Sequence, residues 1–416
     1  MDLQPVFYNT LTKRNEVFTS RSPNTVKLFT CGPSVYRKPH LGNFRTFLFE
    51  DILQKYLEYL GYRVERIINF TDLEDKTIRQ AEDDDASIHE VTEPVADYFH
   101  DKCSELGIYL PDKIPRSTTS VKQSVKLIQM LLEKGVAYWH KGNVYFDPLK
   151  HEGFGAVYGL DMSKWPKKRY RFSKDTYTGH RWNLGDFILW HGNNKGNGMH
   201  WDTEIGKGRP SWNVQDAAMI TQTLGYQIDI HMGGIDNIYR HHDYNRAIVE
   251  SASGKDFCPY WVHGEHLIVN GEKMSKSKGN TLYAEDMYKK GYSPKRIRFF
   301  LSYGYYRDKL NVTPSFLENA SKQHEKLQHL ASALTTGKAD AVNADPYIDK
   351  LISEISILFS VKMHDNLRIK DAVDSLVAII GQLEKYRKKE GISPGQQTRI
   401  RTNLEHIDNV LGFIFK

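Results

Sequence analysis

The sequence predicts an α/β protein: an open, mostly parallel sheet, split by an insertion and followed by a helical bundle. Three observations carry this. Strand-like runs alternate with helical spacing in two separate stretches of the chain. A polar, aromatic and Gly-rich stretch from about 113 to 209 lies between them. The last hundred residues lose the strand signal and keep apolar residues at helical intervals.

The first stretch reads as a β-α-β unit. Val26-Lys27-Leu28-Phe29-Thr30 is β-prone and runs into the breaker cluster Cys31-Gly32-Pro33. From Gly42 the spacing of Phe44, Phe47, Leu48, Ile52 and Leu60 is helical, and Gly61 suits the C′ position. Arg63 to Phe70 reads as the next strand, with Thr71-Asp72 at its carboxyl end. In the second stretch Asp229-Ile230-His231 ends at Gly233-Gly234, and Tyr244 to Ser251 is helix-like. Trp261-Val262 and Leu267-Ile268-Val269 are strand-like, with Asn270-Gly271 as a hairpin turn. Helical faces then appear at Ser315 to Leu334, at Ile348, Ile352, Ile355 and Phe359, and at Ile400, Leu404, Ile407 and Leu411, with Gly337 to Asp345 as a linker. The boundaries are 1–112 for the first half of the α/β domain, 113–209 for the insertion, 210–310 for the second half and 311–416 for the bundle.

Composition narrows the class. In 416 residues, 40% are hydrophobic and 26% charged, which excludes a mostly disordered or collagen-like chain. The net charge of +6 allows an anionic partner without requiring one. Three cysteines in so long a chain exclude a disulfide scaffold and suit a reducing compartment. No uninterrupted apolar run nears about 18 residues, so no membrane partner is expected and the reading is cytoplasmic.

Two motifs bear on chemistry. Pro39-His40-Leu41-Gly42-Asn43 follows a strand and opens a helix, where a glycine admits a phosphate and the helix N-terminus favours negative charge. Lys273-Met274-Ser275-Lys276-Ser277-Lys278-Gly279-Asn280 alternates lysine with serine after a hairpin, and such a loop can close on a triphosphate. Each string alone is matched by a bland alternative, a surface His-x-Gly or a solvated charge run.

Together, each beside a strand of a split α/β domain, they resemble the class I aminoacyl-tRNA synthetases. Cys31-Gly32-Pro33-Ser34-Val35-Tyr36, His40 to Thr46, Asn69 to Lys76, Gly208 to Trp212, Asp229 to Asp236 and Trp261 to Asn280 are similar to the cysteinyl-tRNA synthetase family. The resemblance implies a split Rossmann-like class I synthetase catalytic domain with an insertion, a KMSKS loop and a C-terminal helical bundle. It implies an ATP-dependent, AMP- and pyrophosphate-forming ligase that uses ATP with Mg2+ and makes an aminoacyl-adenylate. His40, Asn43, Lys273 and Lys276 match the catalytic residues. Gly42, Gly234, Asp236, Ser275 and Ser277 match the nucleotide-binding ones. Cys31, Gly32, Thr71, Trp212, Asp216, His231, His241 and Asn245 match positions around the amino acid.

The chain departs from the family in its metal ligands. The family holds zinc on two Cys, one His and one Glu; the matching residues here are Cys31, Asp216, His241 and Asn245. Asn is a poor zinc ligand. Loss of the metal, an altered zinc site on Cys31, Asp216 and His241, and a different metal are three competing readings. No metal ligand is assigned, and the amino acid need not be cysteine; Asp216 can pair with a cationic or hydrogen-bonding side chain. The anticodon-reading domain is expected to be absent or minimal, as in the related cysteine ligase of mycothiol biosynthesis. The acceptor is therefore expected to be a small amine or carrier, with tRNA as the alternative and a catalytically silent RNA-binding or regulatory paralogue as a third reading.

Overall fold

The computed structural model describes residues 4–172, 184–193, 199–275, 278–336, 339 and 343–415. Among them, the sheet beneath the site has four parallel strands, in the order Tyr260–Gly264, Ile230–Gly234, Thr25–Thr30 and Arg63–Ile68. Thr25–Thr30 is joined to Arg63–Ile68 through the helix Leu41–Tyr59 on one side, and Ile230–Gly234 pairs with it on the other. The chain order thus reverses between the two central strands. In an open α/β sheet, the carboxyl ends of strands at such a reversal leave a crevice for ligand. Here those ends are Thr30, which leads to Cys31, and Gly234.

The helix Leu41–Tyr59 buries Phe44, Phe47, Leu48 and Ile52, the apolar residues whose spacing marked it. It also buries Asp51, whose Oδ2 lies 2.7 Å from Arg298 Nη2, with both side chains shielded from solvent. Further along, Tyr56 packs edge-on to Phe359 at 6.1 Å and its Oη lies 2.6 Å from His364 Nδ1. One helix therefore carries the site at its start and meets the C-terminal helices at its end.

Those helices are Pro314–Thr335, Pro346–His364, Ile369–Glu390 and Pro394–Leu411. Ile348, Ile352, Ile355, Phe359, Ile400, Leu404, Ile407 and Leu411 are all buried, as the periodicity requires. Of the linker segment, residues 337–338 and 340–342 lie outside the described residues.

Between the two halves of the parallel sheet, an antiparallel sheet has the order Ala137–His140, Asn143–Phe146, Phe187–Gly192, Gly208–Pro210. It rests on the helix Asp243–Ser253 through Phe187 stacked on Tyr244, with ring centroids 3.7 Å apart. Two cations of the segment just before residue 172, Arg169 and Arg171, serve this sheet. Arg169 pairs with Asp147 and Asp186, and Arg171 Nε donates to Tyr138 Oη at 2.8 Å. No helix among the described residues is long and apolar enough to cross a membrane.

Candidate active site

At the carboxyl edge of the sheet lies a cleft of about 340 Å³. Its walls include Cys31, Gly32, Tyr36, Arg37, Lys38, Asn43, Glu74, Lys76, Gly234 and Asp236. Sequence segments more than 200 residues apart thus meet in one cavity, with cations and carboxylates facing the same space.

One end is built by the start of the helix Leu41–Tyr59. His40 is its N-cap: its Nδ1 accepts from Asn43 N at 3.3 Å, and Asn43 Oδ1 accepts from His40 N at 3.0 Å. An Nδ1 that accepts leaves the ring proton on Nε2, so a neutral His40 presents one N–H donor there. Burial lowers the His40 pKa and Arg37 lowers it further, which favours that neutral form. The first helical N–H, on Leu41, is taken by Leu282 O at 2.9 Å. Anion binding at this end therefore falls to side chains more than to the bare helix terminus. At Gly42 a Cβ would sit 2.7 Å from Met274 Cε and 2.9 Å from the His40 ring, so a side chain there would push both aside.

Met274 belongs to the lysine-serine loop. Lys273 is exposed and its Nζ lies 3.4 Å from His266 Nε2. Ser275 N donates to Asn280 Oδ1 at 2.8 Å, which folds the loop back on itself. Lys276 and Ser277 lie outside the described residues. Across the cleft, Asp236 is exposed just beyond Gly234. An exposed carboxylate after a glycine turn suits sugar hydroxyls.

The other end is closed. Gly32 N donates to Asn69 Oδ1 at 2.8 Å, and a Cβ on Gly32 would fall 1.8 Å from Asn69 O. Asn69 Nδ2 also donates to Thr71 Oγ1 at 3.3 Å and to Asp216 Oδ1 at 3.0 Å. His241 Nε2 stands 2.6 Å from Asp216 Oδ2 and 3.5 Å from Cys31 Sγ. Arg240, at φ +69°, turns the chain so that His241 faces this way and stacks on Trp212 with centroids 4.1 Å apart. His231 stacks on Trp261, and its Nε2 lies 3.5 Å from Asn245 Nδ2. Of the eight positions matched to the amino acid, Cys31 and Gly32 line the cleft; Thr71, Trp212, Asp216, His231, His241 and Asn245 are buried.

Cys31, Asp216 and His241 are not a nucleophilic relay. Such a relay places the acid on the ring nitrogen that does not face the thiol. Here one nitrogen, His241 Nε2, faces both Asp216 and Cys31, while Nδ1 is buried without a partner among the described residues. Burial and then Asp216 push the Cys31 thiol well above its ordinary pKa, so it is a neutral S–H.

Nor does the set match the family's zinc cage. Ligand atoms of Cys31, His241 and His242 do lie within 4.8 Å of one another. Tetrahedral zinc, with bonds near 2.1 Å, holds its N and O ligands about 3.3 Å apart. The 2.6 Å between His241 and Asp216 is a hydrogen-bond distance, whereas Cys31 Sγ and His241 Nε2 stand 3.5 Å apart. His242 Nδ1 is engaged by His263 Nε2 at 2.7 Å, and Asn245 is turned to His231.

With this geometry in hand, the likeness to known proteins is decisive. A family profile described as tRNA synthetases class I (C) catalytic domain matches residues 17–322. The cysteine–tRNA ligase of Chlamydia felis is 36% identical over 98% of this chain and 85% of its own length. The chain belongs to the cysteinyl-tRNA synthetase family. The cysteine–tRNA ligase of Brachyspira hyodysenteriae is 33% identical, again over 98% and 85%. A Mycobacterium tuberculosis methionyl-tRNA synthetase solved with methionyl-adenylate shares the fold, with a TM-score of 0.65 at 15% identity over 94% of this chain and 90% of that one. The protein is thus an ATP-dependent ligase of class I architecture. Glu74, which the sequence reading passed over, is also in this cleft; its signal was its place two residues beyond Asp72 at a strand's carboxyl end.

Proposed function

We propose that the enzyme activates a small amino acid with MgATP and transfers it to tRNA. The observation that carries this reading is the cleft itself, which brings Asn43 at the helix start, Asp236 and the Cys31–Gly32 turn to one cavity. In this reading the amino-acid carboxylate attacks the α-phosphorus. A P–O bond forms to it, the bond to the β-phosphate oxygen breaks, and pyrophosphate leaves. A ribose hydroxyl of the acceptor then attacks the acyl carbon and AMP departs. His40, Asn43, Lys273 and Lys276 handle phosphate charge, with Gly42, Ser275 and Ser277 as nucleotide-binding residues. Gly234 and Asp236 hold the ribose. Holding the reactants aligned is worth roughly 7–11 kcal/mol of barrier, and charge stabilisation adds to it.

In the same reading the amino acid is selected without zinc, by packing and hydrogen bonding at the closed end. The donor set of one thiol, one imidazole, a hydrogen-bonded carboxylate and an amide supports this. The segments 1–112, 113–209, 210–310 and 311–416 serve as the working division, and three buried free cysteines support a cytoplasmic setting. The test is amino-acid-dependent ATP–pyrophosphate exchange over a broad panel, with and without a zinc chelator, followed by charging of total tRNA. Exchange that survives chelation, followed by charging, is the expected result. Exchange that requires zinc overturns the zinc-free selection, and exchange without charging overturns the acceptor.

A further inference from the structure

Glu74 is a buried carboxylate with one oxygen left unpartnered among the described residues. Its side chain is 7% exposed, lines the cleft, and carries an Oε1 that is buried with no hydrogen-bond partner among the described residues. It occupies the N-cap of the helix Asp75–Asp83 but makes no side-chain cap bond, so its own helix does not explain it. Its neighbour Asp75, by contrast, is paired with Arg209 at 2.5 Å. A buried carboxylate oxygen without a partner is costly unless a cation or donor comes to it.

We propose that Glu74 receives the α-ammonium of the amino-acid substrate. The inference rests on the adenylation reading above and adds a residue to it. The cleft has two carboxylates to distribute, Glu74 and Asp236. Asp236 is exposed, which suits neutral hydroxyls that hydrogen-bond in the presence of water. Glu74 is buried, where a charge-assisted bond to an ammonium gains most. Ser34 donates to the Glu74 side chain, while Lys76 and Arg37 stand near it. Burial raises the Glu74 pKa above its ordinary value, and Lys76, Ser34 and Arg37 oppose the rise. Lys76 and Arg37 line the same cavity, each 5.2 Å from the Tyr36 ring, and favour the carboxylate or phosphate end of the reactants.

The experiment is pyrophosphate exchange on the full chain with Glu74→Gln and Glu74→Asp. For Glu74→Gln the KM for the amino acid should rise about 10- to 100-fold, with the KM for ATP within about twofold of the parent. Glu74→Asp, which keeps the charge on a shorter arm, should fall between. An unchanged amino-acid KM, or a loss confined to transfer, overturns the proposal. A second readout needs no variant. The amino alcohol of the preferred substrate, which keeps the ammonium, should inhibit the parent enzyme far better than the same alcohol lacking the amine; equal inhibition overturns the proposal. If the parent enzyme shows no exchange with any amino acid, the adenylation reading itself fails, which is a different result from either.

Discussion

His241 Nε2 meets Asp216 Oδ2 at 2.6 Å, a hydrogen bond between two of the residues that stand where the family holds zinc. The relation turns on two residue types. A second thiolate at position 216 would not hydrogen-bond so closely to the imidazole, and a carboxylate at 245 would supply the fourth ligand. The double substitution Asp216→Cys with Asn245→Glu should therefore convert the chain into a zinc protein, with about one zinc per chain. The parent should hold far less. Metal analysis after exhaustive dialysis reads both, and equal zinc in the two proteins would refute the argument.

The buried pair Asp51–Arg298 predicts a stability effect away from the chemistry. Arg298 also donates to the carbonyls of Leu411, Leu106 and Gly107, so one guanidinium joins the first helix, the loop after Glu105 and the end of the last helix. Burial pushes the Asp51 carboxyl up, but Arg298 and Lys55 outweigh it and hold the pKa below its ordinary value. Arg298→Met should cost about 3–5 kcal/mol, because it leaves Asp51 charged and short of a partner. Urea unfolding of the two proteins checks this.

Much of this architecture was legible because its signals are local. The alternation of Val26 to Thr30 with Phe44, Phe47, Leu48 and Ile52 is a short-range pattern, and the structure buries those residues as strand and helix. Asn270 and Gly271 both take positive φ, 50° and 82°, as a tight hairpin demands. What was not legible depends on contacts distant in sequence. Asp216 looked available to a substrate, yet Asn69 and His241, from separate elements, engage both of its oxygens. The antiparallel sheet from Ala137 to Pro210 was read only as a polar, aromatic and Gly-rich insertion, since its strands of three to six residues are broken by long loops. Glu74 looked like one more acid in an acidic run until burial set it apart.

A pH effect follows from Glu50. Burial raises its pKa from 4.5 to about 8 despite Arg66, whose Nη2 is 3.7 Å away. Below pH 4.5 the folded and unfolded chains both hold the proton. Between about 4.5 and 8 only the folded chain holds it, so unfolding releases a proton and stability falls as pH rises through that window. The whole span is worth on the order of 5 kcal/mol. Glu50→Gln keeps the shape and removes the titration. Its melting temperature should change less than the parent's between pH 5 and 8, and the two curves should part most at the alkaline end. Parallel curves would show that another group governs the slope.

Gly32→Ala tests whether the closed end of the cleft is held by backbone approach. The new Cβ would meet Asn69 O at 1.8 Å, far inside contact distance, and the obstacle is a carbonyl of the sheet edge and not a flexible side chain. Either Asn69 or residue 32 must move. If Asn69 moves, its three bonds to Gly32 N, Thr71 and Asp216 are strained together, and the hydrogen-bonded floor of the pocket opens. The central strands should survive, because Phe29 and Ile67 remain packed on one another's neighbours in the core. The expected outcome is a folded protein, with near-parental circular dichroism, whose amino-acid-dependent pyrophosphate exchange falls by about 100-fold or more, as for a misplacement of about 1 Å in a reacting pair. Exchange at the parental rate would mean that the floor tolerates the shift and does not set the position of the amino acid.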